Sequence, residues 1–191
     1  MESFYDLAFE TEMQLLSALA IALGVSESDL KSMHSRAENE FRLLHYPVTP
    51  VSELATGTAT RIAEHTDFGT ITMLFQDSTG GLQVEDHSQF GNFRDVESSA
   101  PTDIILNIGD SLQRLTNDTF KAACHRVTYP PNVKDNGVDV IPERYSIAYF
   151  AKPNRNASIR PLKEFITEAN PCRYENITAW EWNNLRIAKL Y

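Results

Sequence analysis

From Phe41 to about residue 150 the chain never sustains a helical period. It repeats short runs rich in β-branched and aromatic residues, each closed by Pro, Gly, Asn or Asp. Such runs read as strands, because branched and aromatic side chains fit a pleated surface while the punctuating residues supply turns. Strands are expected near 41–46, 59–65, 70–75, 81–85, 91–96, 103–108, 119–128 and 144–150. Eight short strands leave many backbone groups unpaired at sheet edges, which curling two sheets together or covering them with helices can hide. The fold class expected is mainly β with flanking helices, jelly-roll-like at its core. The stretch from Pro130 to Pro142, rich in turn-forming residues, reads as a mobile excursion before the last strand.

Both chain ends read as helical. Phe4, Leu7, Ala8, Leu15, Leu19 and Ala22 recur at helical spacing, and Gly24 stands where a helix would stop. Ser26, followed three residues later by Asp29, can cap a second, shorter helix carrying Leu30, Met33 and Ala37. Near the C-terminus Thr178 can cap a final helix whose Trp180, Leu185 and Ile187 are expected to pack inward. The organisation expected is a helical segment over 1–40 packing on a β core, a β domain over 41–160, and a tail over 161–191 with a terminal helix.

Composition narrows the partners. At 191 residues, 42% hydrophobic and 23% charged, the chain suits one globular domain and not a disordered one. A formal charge of −9 opposes contact with a phosphate backbone, so no nucleic acid is expected. The apolar stretch from Met13 to Leu23 is interrupted by Gln14 and Ser17 and is too short to span a bilayer, so no membrane is expected either. Two cysteines are too few for a disulfide scaffold, and with no secretory leader visible a reduced, cytoplasmic location fits best.

The chemistry is concentrated in a few positions. In Glu64-His65-Thr66-Asp67, at the end of an expected strand, alternation puts His65 and Asp67 on one face with Thr66 turned away. An imidazole and a carboxylate so placed can share one ion. A His-x-Asp is common by chance, however, and a third ligand must come from elsewhere. His125, in another expected strand, can supply it. Two histidines and one carboxylate on one face of an octahedron leave three positions open, the arrangement suited to iron(II) oxygen chemistry. None of His34, His45 and His87 has a carboxylate partner and strand context together, and surface or structural roles are expected for them. Farther on, alternation along 144–150 puts Arg144, Ser146, Ala148 and Phe150 on one face and Tyr145, Ile147 and Tyr149 on the other. A guanidinium and a hydroxyl on one inward face can hold a carboxylate by an ion pair and a neutral hydrogen bond.

His65-x-Asp67, distal His125 and Arg144-x-Ser146, in that order, resemble the isopenicillin N synthase-like branch of the 2-oxoglutarate- and iron(II)-dependent dioxygenases, in wording nearest its fungal members. Leu43-Leu44-His45-Tyr46-Pro47, Gly80-Gly81-Leu82-Gln83-Val84, Asn107-Ile108-Gly109-Asp110 and His125-Arg126-Val127 extend the resemblance over nearly the whole chain. It implies a double-stranded β-helix (jelly-roll, cupin-like) core. It also implies iron(II) held by His65, Asp67 and His125, and 2-oxoglutarate as co-substrate with its distal carboxylate on Arg144, Ser146 and Tyr46. Dioxygen would be the oxidant, with ascorbate as an accessory reductant. Phe68 and Phe150 would line the pocket of a small-molecule substrate. No catalytic residue beyond the metal ligands is implied. The outcome would be hydroxylation, desaturation or ring rearrangement of an organic metabolite, coupled to release of succinate and carbon dioxide, in secondary metabolism.

Two departures stand out. The family's asparagine two places before the tyrosine is Leu44 here, which removes one polar contact to the co-substrate. The chain also begins at what resembles the family's central long helix, without the N-terminal region that precedes it there. A fragment, a shortened product, or a chain that covers the exposed surface by self-association would each fit. Two rival readings follow: a non-catalytic or uncoupled relative serving as a metal-containing binding or structural module, and an oxidase that does not use 2-oxoglutarate.

Overall fold

The computed structural model describes residues 1–98, 100, 102–129, 133 and 139–189. Helix α1 (Glu2–Leu23) ends at Gly24, whose left-handed φ of 68° a residue with a Cβ adopts only at a cost. The buried stripe of α1 is Ala8, Glu12, Leu16 and Ala20, while Leu7 and Ala22 of the expected stripe face out. The core side thus holds a carboxylate that an apolar period cannot reveal. Glu12 is tolerated there because it is fully hydrogen-bonded. One oxygen meets His34 Nδ1 at 2.7 Å, and the other accepts from Tyr149 Oη at 2.7 Å and Asn39 Nδ2 at 2.6 Å. His34 therefore has the structural role expected of it. Helix α2 (Glu27–Ser32) starts at Ser26, whose hydroxyl accepts from the Asp29 N–H. Its Leu30 packs with Leu16, Ala20 and Leu115, and each such buried leucine contributes on the order of 2 kcal/mol.

Two antiparallel four-stranded sheets follow. The first is ordered β1 (Glu40–Tyr46), β10 (Arg144–Ala151), β4 (Ile71–Gln76), β7 (Ile105–Ile108). The second is ordered β3 (Ile62–His65), β8 (His125–Val127), β5 (Leu82–Glu85), β6 (Phe93–Asp95). A short ladder joins β2 (Thr49–Pro50) to β9 (Val140–Ile141), with α3 (Val51–Ala55) between β2 and β3. Tyr46, Leu82 and Val127 close the space between the sheets. Behind the first sheet, Ile71, Met73, Tyr149 and Ala151 pack on Ala8 of α1. The fold is the expected jelly roll, with strands near each expected position.

The differences come from tertiary context. The expected strand over 119–128 shrinks to β8, because a short buried helix, α4 (Asp110–Leu115), leads into left-handed Asn117 and Asp118 at φ 48° and 68°. Six residues cannot display a helical period, so α4 has no signature in the sequence. Helix α5 (Ala179–Ile187) has the expected start, with Thr178 and Glu181 forming a reciprocal capping box. Its packing face is another matter. Trp180, Leu185 and Ile187 are exposed, and the helix docks through Trp182 and Arg186, four residues apart. A cationic and aromatic seam replaces the apolar one: the Arg114 guanidinium lies 4.7 Å from the Trp182 ring. The stretch from Pro130 to Pro142 falls mostly outside the described residues.

Candidate metal centre

β3 ends at His65 and β8 begins at His125, and the two are register partners, which sets their rings 4.3 Å apart. Asp67 follows two residues beyond the end of β3. Its Oδ1 lies 3.8 Å from Nε2 of each histidine, and the three candidate ligand atoms fall within 4.8 Å of one another. Nδ1 of His65 and of His125 each sits 2.9 Å from a backbone carbonyl, those of Ala63 and Ala123. With Nδ1–H donating there, both Nε2 lone pairs face the centre. Burial, and then the charge of His125, hold the His65 pKa below the ordinary imidazole value, which keeps the ring neutral and able to ligate. Asp67 Oδ2 accepts from Thr72 Oγ1 at 2.6 Å and Asn107 Nδ2 at 2.8 Å, so Oδ1 is left for an ion. Two imidazoles with Nε2 turned to the centre and an oriented carboxylate suit a divalent first-row metal.

The backbone around Asp67 is clamped from behind. The Asp110 N–H donates to the Asp67 carbonyl at 2.7 Å, and the Ser111 N–H to the Gly69 carbonyl at 3.0 Å. A Cβ on Gly109 would collide with the Gly69 carbonyl and stand 2.9 Å from the Asp67 carbonyl oxygen, so glycine is needed for this approach. From α5, Arg186 Nη2 donates to Thr66 Oγ1 at 3.0 Å and Nε pairs with Asp110 Oδ2 at 3.1 Å. Its guanidinium also lies 5.1 Å from the Phe68 ring. Residues on both sides of Asp67 are thereby held by one arginine.

Behind the triad, a cavity of about 430 Å³ runs between the sheets. Arg144, Ser146 and Tyr46 line it, as does Leu44 at the position of the family's asparagine. Arg144 is fully buried, donates to Ser146 Oγ at 3.1 Å and Gln76 Oε1 at 2.8 Å, and lies 4.9 Å from the Tyr46 ring. Its bonded partners are neutral and its Nε has none, so burial pushes its pKa down. A buried cation without a bonded anion is costly, and a carboxylate ligand would relieve that cost. Phe150 lines the same cavity. Phe68 does not: it lines a separate cleft of about 360 Å³ with Trp180 and Ser111. Phe68 has the parity of Thr66 rather than that of His65 and Asp67, and its ring turns toward α5.

Thr72, Asn107, Gln76 and Arg186 had no assigned part in the sequence reading. Asn107-Ile108-Gly109-Asp110 was visible as a family-like stretch, and it is the stretch that supports Asp67. Thr72 reaches Asp67 across the turn from five residues away, and Gln76 and Arg186 act through long-range contacts; no local pattern announces any of the three.

The profile of the 2OG-Fe(II) oxygenase superfamily matches residues 37–153. The chain belongs to the 2OG-Fe(II) oxygenase superfamily. Among curated members, the whole chain is 45% identical to the proline hydroxylase buaE of Petromyces alliaceus, covering 59% of that protein. It is 43% identical to the 2-oxoglutarate-dependent dioxygenase imqE of Aspergillus flavus, covering 52% of it. The crystal structure of a full-length Neurospora crassa protein in complex with alpha-KG and thymine superposes over the whole chain with a TM-score of 0.88 and 37% identity, and the chain covers 56% of it. The chain thus spans between half and three-fifths of the length of these proteins.

Proposed function

We propose that this chain carries the catalytic centre of an iron(II)- and 2-oxoglutarate-dependent oxygenase of fungal type, acting on a small organic metabolite in secondary metabolism. One observation carries the reading: a His-Asp-His triad with converging ligand atoms opens onto the same cavity as a buried arginine that lacks a bonded anion. His65, Asp67 and His125 would hold the iron. Arg144 would fork onto the distal carboxylate of 2-oxoglutarate, with Ser146 and Tyr46 beside it. When bound, iron and 2-oxoglutarate supply the oxidising power through dioxygen, with succinate as co-product. The chain's own residues orient the co-substrate, leave metal positions open, and place Phe150 against the substrate. Hydroxylation is the default outcome, with desaturation and ring rearrangement as variants of the same oxidation. The relative named as a proline hydroxylase supports a cyclic amino acid as the first compound to try.

Residues 41–160 are the oxygenase domain in this reading, and a cytoplasmic location accompanies it; among the described residues no helix is long and apolar enough to cross a membrane. Leu43 and Tyr145, exposed on the outer face of the first sheet, support self-association, which sedimentation of the intact chain tests. For the chemistry, anaerobic addition of iron(II) and then 2-oxoglutarate is expected to give a metal-to-ligand charge-transfer band that His65→Ala abolishes. Folded protein that gives no band, or a band indifferent to His65, would overturn the proposal.

A further inference from the structure

The cavity is charged in a way that neither iron nor 2-oxoglutarate accounts for. Tyr46, Leu44 and Arg42 on β1 run in register with Arg144, Ser146 and Ala148 on β10. The co-substrate cradle therefore lies at the Arg144 end. The triad lies at the other, where Phe150 pairs with Thr72 and Thr72 with Asn107, the two residues that hold Asp67. At that outer end three basic side chains line the cavity: Arg42, Lys121 and His87. Among the described lining residues Asp67 is the only acid, although the chain as a whole carries a charge of −9.

Charge balance separates the two ends. When loaded as proposed above, the inner site holds the two positive charges of iron(II) and one of Arg144 against one negative charge from Asp67 and two from 2-oxoglutarate. It is neutral. Arg61 and Asp77, both within electrostatic reach of Arg144, offset each other. The rim stays positive. Glu40 is the ion-pair partner of Arg42 but is shared with Lys152, and Asp118 is the partner of Lys121 but is shared with Arg173. Each carboxylate there serves two cations, so Arg42, Lys152, Lys121 and Arg173 together exceed Glu40 and Asp118 by two charges, and of these four Arg42 and Lys121 line the cavity. Arg42 is also placed for ligand contact: its guanidinium lies 5.2 Å from the ring of Phe150, in the same cavity as the triad, and its side chain is 58% exposed. A planar cation beside an aromatic wall is suited to a carboxylate on a small, partly apolar molecule.

We propose that the substrate to be oxidised is itself an anion, a small carboxylic acid whose carboxylate is held at the rim by Arg42 with Lys121 in support, while its carbon skeleton packs on Phe150 toward the metal. This rests on the function proposed above. The carboxylate is distinct from that of 2-oxoglutarate, which belongs to Arg144 at the opposite end.

The test uses the intact chain loaded with Mn(II) and 2-oxoglutarate, and reads binding by calorimetry without turnover. Probes are L-proline, L-pipecolic acid and phenylacetate, each paired with its carboxamide. An acid of the set is expected to bind at least about tenfold more tightly than its amide, as a charge-assisted hydrogen bond gives. Arg42→Gln is expected to erase that preference, Arg42→Lys to keep part of it, and Lys121→Gln to weaken it; all three should keep the wild-type affinity for Mn(II) and 2-oxoglutarate. Amides that bind as well as acids, a preference that survives Arg42→Gln, or no acid that binds at all would each overturn the inference. Loss of 2-oxoglutarate binding by the wild-type chain would instead count against the oxygenase reading, so the two failures are distinguishable.

Discussion

Replacing Thr72 with valine keeps the shape of the side chain and removes one donor to Asp67. In the structure Thr72 Oγ1 reaches Asp67 Oδ2 at 2.6 Å inside the fold, where both residues are buried. A hydrogen bond to a charged acceptor is worth about 1.5–3 kcal/mol net. Since about 1.4 kcal/mol is a factor of ten, metal affinity should fall roughly ten- to a hundredfold if the bond is needed to hold Oδ1 toward the ion. Asn107 Nδ2 still bonds the same oxygen at 2.8 Å, so the single variant should stay near the lower bound. Combining Thr72→Val with Asn107→Ala leaves Oδ2 with neither donor. The loss should then exceed the sum of the single effects, because neighbours on one acceptor are coupled. Anaerobic titration with Co(II) or Fe(II) measures the affinities, and urea melts of the metal-free variants separate ligand orientation from loss of fold. Thr72→Val with metal affinity within about twofold of wild type would show that Asp67 needs no such orientation and that the site is not prepared by its donors.

Gly109→Ala should cost more than about 2 kcal/mol of stability, as overpacking against rigid backbone does, and should weaken metal binding by displacing the Asp67 carbonyl; thermal melts and metal titration check both. Arg186→Gln is expected to lower stability by about 1–2 kcal/mol and metal affinity several-fold, since it removes the ion pair with Asp110 and the hydrogen bond to Thr66, whereas Arg155→Ala, which frees only Trp180 on the same helix, should spare metal affinity. The metal-free chain should lose stability as pH falls below the ordinary imidazole value of 6.5. The His65 pKa is depressed in the fold, first by burial and then by His125, so between the two values the unfolded chain binds more protons; the loss should level off below the folded value. Urea melts across that range test this, and a His65→Gln variant with an unchanged pH slope would refute it.

Some of this protein was legible before any coordinates. Strand positions, the alternation that turns Arg144, Ser146, Ala148 and Phe150 inward, the Ser26 and Thr178 caps and the His65-x-Asp67 pair all depend on periods and spacings within a few residues of each other. Backbone geometry fixes those relations wherever the segment sits. What only the tertiary structure decided depends on which distant segments meet. The α1 periodicity marked Leu7 as core, but the face that found partners was the one with Glu12, because His34, Asn39 and Tyr149 arrive from elsewhere to bond it. The apolar residues of α5 suggested an inward Trp180, but the groove offered by α4 and the Asp67 loop suits Trp182 and Arg186. Phe68 looked like a pocket residue by its place beside Asp67, but it has the parity of Thr66, and its ring lines the cleft beside α5. His65-x-Asp67 and His125 state what chemistry the chain can do. Whether Asp67 presents Oδ1 to an ion is settled by Thr72, which comes back onto it across a turn, and by Asn107, Gly109 and Arg186, which arrive from distant segments.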